Sequence, residues 1–100
     1  MHLVMAILRP AQVEPVRAAL AQVQVTRLTI CDAHGFAAPP AAIAQEAVME
    51  IAVNDDFLER TVATLAAVLE AAGDAAGRLF VMPMLEAVQI YREVRGPEAI

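Results

Sequence analysis

Arginine carries all of the positive charge of this 100-residue sequence: seven Arg and no Lys, set against twelve acids for a net charge of −5. A guanidinium offers a rigid fork of donors suited to phosphate or carboxylate. The same usage, together with the heavy alanine content, also follows from base composition in a source genome. A second chemical candidate is Gly35-Phe36, which ends the strand-like run "TRLTICDAHGFA". Gly35 would let backbone N–H groups approach a ligand and form an anion-binding concavity. The plainer reading is a turn glycine beside a packed phenylalanine. His2, His34 and Cys31 could ligate a metal, but two histidines and one cysteine at no recognised spacing argue for a solvated His34 and a small, packed Cys31. The sequence contains no arguable Ser/His/Asp or paired-acid constellation, so no catalytic residue is assigned and an enzyme is not expected.

The elements that must position these residues can be read from apolar spacing. Residues 2–9 form a short apolar run closed by Arg9-Pro10, as in a strand leading to a helix start. Val13, Val16, Leu20 and Val23 share one helical face over residues 11–23. Residues 25–34 read as a second strand, and 46–53 as a third with Ala47, Met49, Ile51 and Val53 on one side. Asn54 offers an N-cap followed by Asp55 and Asp56, where the helix dipole favours acids. That helix runs to about Ala72 and stops at Gly73. Residues 78–82 and 87–91 are further short strands around Pro83. The order β-α-β-β-α-β predicts an α+β ferredoxin-like sandwich with a short extra C-terminal strand, as one domain over residues 1–100.

Composition limits the classes of function. Apolar residues make up 59% of the chain, above the roughly 45–50% of ordinary soluble domains. No run approaches the ~20 apolar residues of a membrane span, so direct membrane insertion is not expected. Val4, Ala6 and Leu8 alternate with Leu3, Met5 and Ile7, so the sheet is apolar on both sides and needs a second cover. A homo-oligomer supplies one. An acidic chain with four aromatics and no basic stripe is a poor nucleic-acid binder. One cysteine precludes an internal disulfide and fits a reducing compartment, and the N-terminus lacks the features of a signal peptide. The expected location is cytoplasmic.

Five segments in order, "MHLVMAILRPAQVEPVRAAL", "LTICDAHGFA", "MEIAVNDDFLERTVATL", "GRLFV" and "RGPEAI", resemble the PII signal-transduction family. That family consists of trimeric ferredoxin-like proteins that bind adenine nucleotides between subunits. The resemblance implies a homotrimer and an adenine nucleotide as ligand, with no metal cofactor evident. Ile7, Glu50 and Ala52 match positions bordering the adenosine, and Thr29 matches one that hydrogen-bonds the adenine edge, although each also reads as an ordinary strand residue. Gly35, Phe36 and Ala37 match the strand exit beside the ligand. The family's Gly-Asp-Gly-Lys phosphate turn corresponds to Ala75-Ala76-Gly77-Arg78. There Gly77 still permits close backbone approach and Arg78 supplies a forked donor. The family's paired C-terminal arginines fall on Gln89 and Tyr91, so Arg92 and Arg95 could serve only with a shifted register.

Two departures shape the expected function. The segment after Phe36 is a stump where the family carries its long T-loop, and it lacks the tyrosine that many members modify. Glu46 stands where many members have a lysine important for 2-oxoglutarate, which a carboxylate would repel. Fewer cations favour ADP or AMP over ATP. The expectation is a PII-like regulator that binds an adenine nucleotide in intersubunit clefts and acts on a membrane transporter or a metabolic enzyme. A small anion such as bicarbonate could bind as co-ligand. The alternative is a trimeric interaction or scaffold module that has lost the nucleotide.

Overall fold

Alternation in the first strand decides the architecture. In β1 (His2–Leu8) the side chains of Val4, Ala6 and Leu8 are wholly buried, whereas Leu3, Met5 and Ile7 are half-buried on the other side. The computed structural model describes residues 1–37, 42–74 and 77–100. A strand apolar on both faces belongs in the middle of a sheet, and the order is β2-β3-β1-β4. The flanking strands are β2 (Thr29–Ala37), β3 (Ala42–Val53) and β4 (Arg78–Pro83), and each pairing is antiparallel. This is the expected ferredoxin-like topology.

Helices α1 (Val13–Gln22) and α2 (Asp55–Ala71) cover one face. Val16 and Leu20 of α1, then Leu65 and Leu69 of α2, recur four residues apart and close over Val4, Ala6, Leu8, Met49 and Ile51. Thr61 shares the buried stripe, and its hydroxyl donates to the Phe57 carbonyl at 2.7 Å, which removes the cost of an unpaired polar group.

Both helices end in a Schellman motif. At the end of α2, Gly73 (φ 66°) donates to the Glu70 carbonyl at 3.0 Å and Asp74 to that of Leu69 at 3.1 Å. Gly73 therefore stops the helix as its sequence position predicts. At the end of α1, Gln24 (φ 61°) plays the glycine's part, donating to the Ala21 carbonyl, while Val25 donates to that of Leu20. Val25 thus belongs to the helix closure, and the second strand begins at Thr29, later than the β-rich composition of residues 25–28 suggests. Asn54 occupies the N-cap position of α2 without a side-chain capping bond. Its Nδ2 donates to the Pro97 carbonyl at 3.0 Å instead, tying the helix start to the C-terminal segment.

The β2–β3 hairpin outruns the rest of the sheet. β1 pairs with β3 as far as Leu8–Ala47, but β2 and β3 continue through Ala33–Glu46, His34–Gln45, Gly35–Ala44 and Phe36–Ile43 to Ala37–Ala42. At ~3.3 Å per residue the arm projects by about 17 Å, in keeping with a 47 Å long axis. The strands are longer than the sequence predicts, and Gly35-Phe36 lies within the ladder, not at an exit turn. The T-loop stump, Ala37-Ala38-Pro39-Pro40, falls largely outside the described residues. Beyond β4, two short strands, β5 (Val88–Gln89) and β6 (Val94–Arg95), form a separate hairpin where a strand over 87–91 was expected.

Candidate functional site

Most of the expected ligand residues are gathered on the face of the sheet opposite the helices. Register places three rows there: Ala52, Leu3 and Met82; Thr29, Glu50, Met5 and Phe80; and Cys31, Val48, Ile7 and Arg78. Ile7, Thr29, Glu50, Ala52 and Arg78 thus share one open, mainly apolar surface. Cys31 is exposed there, so packing within this chain does not bury it as its strand position suggested.

Two cavities of about 260 Å³ each adjoin the Thr29 end. The first is lined by Leu3, Thr29, Glu50, Ala52, Ala87 and Ile100, among others, and so brings together three of the four residues expected around an adenosine. The second lies among Gln24, Thr26, Arg27, Asn54 and Phe57. Arg27, Ala52 and Ile100 line both. A hydroxyl and a carboxylate directly opposite each other, Thr29 and Glu50, can read a donor–acceptor edge within an apolar wall. Ile7 is not among the residues lining either cavity. It stands one row further along, beside Arg78.

The Ile7–Arg78 corner holds what the structure describes of the expected phosphate turn. The Gly77 N–H donates to the Asp74 carbonyl at 3.1 Å, and Arg78 Nη1 donates to the Gly77 carbonyl at 2.9 Å. A Cβ at Gly77 would come within 3.2 Å of the Asp74 carbonyl oxygen and 3.3 Å of Leu69 Cδ1, so glycine suits this tight turn. Ala75 and Ala76 lie outside the described residues.

Asp74 was not among the residues expected to matter. Its side chain is 1% exposed and accepts the Arg9 backbone N–H at 3.1 Å, with Arg9 Nε at 3.4 Å. A signal for it was present. An acid just past a helix C-terminus opposes the dipole and must find donors elsewhere.

Gly35 lies on the open side of the arm, but no bare anion cradle surrounds it. The Glu46 carboxylate lies across it, such that a Cβ at Gly35 would fall 2.1 Å from Glu46 Oε1. Phe36 points to the opposite side by alternation, is 77% exposed, and pairs with exposed Ile43. Ala37 ends the ladder opposite Ala42. Neither C-terminal arginine is near this arm in the pairing scheme. Arg95 lies in β6 and forms an ion pair with Glu86, and Arg92 lies in the turn between β5 and β6. Among the described residues, no three His, Cys, Asp or Glu side chains converge in a metal-binding group, and no helix is long and apolar enough to cross a membrane.

At the other end of α2, Asp55 accepts from the N-terminal ammonium at 2.7 Å and lies 2.9 Å from His2 Nδ1. The ammonium's hydrogen bond and charge, with a smaller contribution from His2, hold the Asp55 carboxyl below its ordinary range.

Comparison with known proteins identifies the family. The family model described as nitrogen regulatory protein P-II matches residues 1–94. Nitrogen regulatory protein GlnK1 of Methanosarcina mazei is 30% identical over 114 aligned residues, covering 100% of this chain and 97% of GlnK1. The crystal structure of Arabidopsis thaliana PII bound to citrate superposes with a TM-score of 0.82 at 29% identity, covering 99% of this chain and 91% of that one. The chain belongs to the P-II nitrogen regulatory protein family and is a signal-transduction regulator, not an enzyme.

Proposed function

We propose that this chain assembles as a homotrimer through its open sheet faces and binds an adenine nucleotide, ADP or AMP in preference to ATP, in the clefts between subunits. Proteins of the family act as trimers that regulate partner proteins. The observation that carries the reading is the open face itself. Leu3, Met5, Ile7, Val48, Phe80 and Met82 share it. Among the described residues the helices pack on the opposite face, and the C-terminal segment meets this one at the cavity by Leu3 and Ala52. An apolar area of this extent calls for a protein cover. A nucleotide in the cleft would meet Thr29, Glu50 and Ala52 from one subunit and Ile7, Gly77 and Arg78 from its neighbour. Occupancy would alter the face shown to a regulated transporter or metabolic enzyme by favouring one arrangement of the arm or C-terminal segment.

Arg78 supplies the phosphate contact in this scheme. Hydrogen bonds to charged groups contribute about 1.5–3 kcal/mol each, so Arg78→Ala should weaken ADP binding roughly ten- to hundredfold by calorimetry and leave the trimer intact. Unchanged affinity would remove Arg78 from the site.

One observation favours a second reading. The Glu46 carboxylate over Gly35 sets a negative charge where a concavity of backbone amides would receive an anion. A trimeric interaction module without nucleotide would tolerate that charge. Calorimetry with ATP, ADP and AMP, each with and without bicarbonate or 2-oxoglutarate, separates the two. Saturable nucleotide binding supports the sensor, and an intact trimer that binds none supports the module.

A further inference from the structure

Asp74 and Arg9 have no part in the site so far, yet their ion pair sets a carboxylate 1% exposed against a guanidinium 56% exposed. A carboxylate 1% exposed is costly unless its oxygens are paired. One Asp74 oxygen accepts the Arg9 backbone N–H and the other faces Arg9 Nε. The carbonyl of the same residue receives the N–H of Gly77. Asp74 therefore joins three segments: the exit of β1, the end of α2 and the turn into β4.

The contact also fixes a guanidinium. The Arg9 side chain is 56% exposed, so its Nε end is held by the buried carboxylate while much of the group faces solvent. Arg9 continues the extended course of β1 (φ −69°, ψ 144°). It stands two positions, about 6.6 Å, beyond Ile7, whose cross-strand partner is Arg78. Arg9 itself lies one residue past β1, and its side chain is placed by its contact with Asp74. Through Asp74, whose side chain holds Arg9 and whose carbonyl receives the Gly77 N–H, Arg9 is brought to the Gly77–Arg78 turn.

We propose that Arg9, oriented by Asp74, is the second cation of an anion-binding corner at Arg78 and Gly77, and that the corner takes the phosphate end of a nucleotide or a free phosphoanhydride. Arg9 would be a direct phosphate contact and Asp74 a positioning residue that acts through it. This rests on the nucleotide reading above and replaces Arg92 and Arg95 as the source of the second positive charge. Arg95 is already engaged by Glu86. A guanidinium held at Nε retains its two terminal nitrogens for a planar, two-point contact with phosphate oxygens.

The test is calorimetric titration of the full chain with ADP, inorganic pyrophosphate and adenosine. The variants are Arg9→Ala, Arg9→Gln, which keeps an N–H for Asp74 without the charge, and Arg17→Ala, a surface control paired with Glu14. Both Arg9 variants should bind ADP and pyrophosphate roughly tenfold more weakly, while adenosine binding and the Arg17→Ala titrations match wild type. Wild-type affinity for ADP and pyrophosphate in a folded Arg9→Gln protein would overturn this assignment alone. Equal losses for adenosine and ADP would reduce Arg9 to a structural role and overturn it as well. If wild-type protein binds neither ADP nor pyrophosphate, both this proposal and the nucleotide reading fail.

Discussion

The two faces of the central strand differ less in composition than in cover. Val4, Ala6 and Leu8 look toward the helices and are wholly buried, whereas Leu3, Met5 and Ile7 look away and are half-buried among Phe80, Met82 and Val48. All six of these β1 residues are apolar. What separates the faces is that one is closed by α1 and α2, while among the described residues the other meets the C-terminal segment only at the cavity by Leu3 and Ala52. The covered face also has an ordinary packed core, whereas the open face carries Thr29 opposite Glu50 and Arg78 opposite Ile7. Polar groups kept on an otherwise apolar face give it the means to select a ligand as well as a partner.

The largest effect is expected on the covered side. Leu65 is fully buried between the helices and the sheet. Leu65→Ala should destabilise the protein by about 2–5 kcal/mol, because it removes transfer energy and leaves a cavity. Denaturant unfolding should show the loss at any protein concentration. A smaller loss than in an open-face Met5→Ala variant would invert the assignment of the two faces.

The open side should respond in assembly more than in folding. Phe80 lies on edge strand β4 beside Met5 and is half-exposed. Phe80→Asp should leave the circular dichroism spectrum of a single folded chain unchanged and shift sedimentation from trimer to monomer, since a charge at an apolar contact needs a partner to be buried. A trimer of unchanged stability would mean that the subunits meet through another surface.

The smallest effect concerns Asp55, which links the chain start to the start of α2. Its carboxyl is held low, chiefly by the N-terminal ammonium, so its folded pKa lies below its unfolded value. The stabilisation is therefore fully present above the ordinary carboxylate pKa near ~4. It is lost as pH falls through the depressed folded value. Asp55→Asn should flatten the acid limb of melting temperature against pH, and an unaltered limb would show the contact to be energetically idle.

The parts of this molecule set by local rules were readable in advance. The alternation of β1, the four-residue spacing in both helices and the stop at Gly73 each follow from a short stretch of residues and its own periodicity. The arm was not readable in the same way. "AAIAQ" has little β-propensity, and residues 42–45 become a strand because β2 pairs with them. Gln24 closes α1 in a conformation that usually selects glycine, so no residue type announced that stop. Asn54 looked like a cap, but its amide is claimed by Pro97, forty-three residues away. The candidate site was legible in part, since Ile7, Thr29, Glu50, Ala52 and Arg78 share a face by simple alternation. Asp74 was missed because its partner is Arg9, at the far end of the chain in sequence.

Assembly through the open face and ligand binding stand or fall together, and native mass spectrometry of the full chain with ADP tests both at once. The expected species is a trimer that takes up as many as three nucleotides, with Arg78→Ala trimers taking up fewer at the same ADP concentration. A monomer at every accessible concentration, or a trimer that stays free of nucleotide, would contradict it.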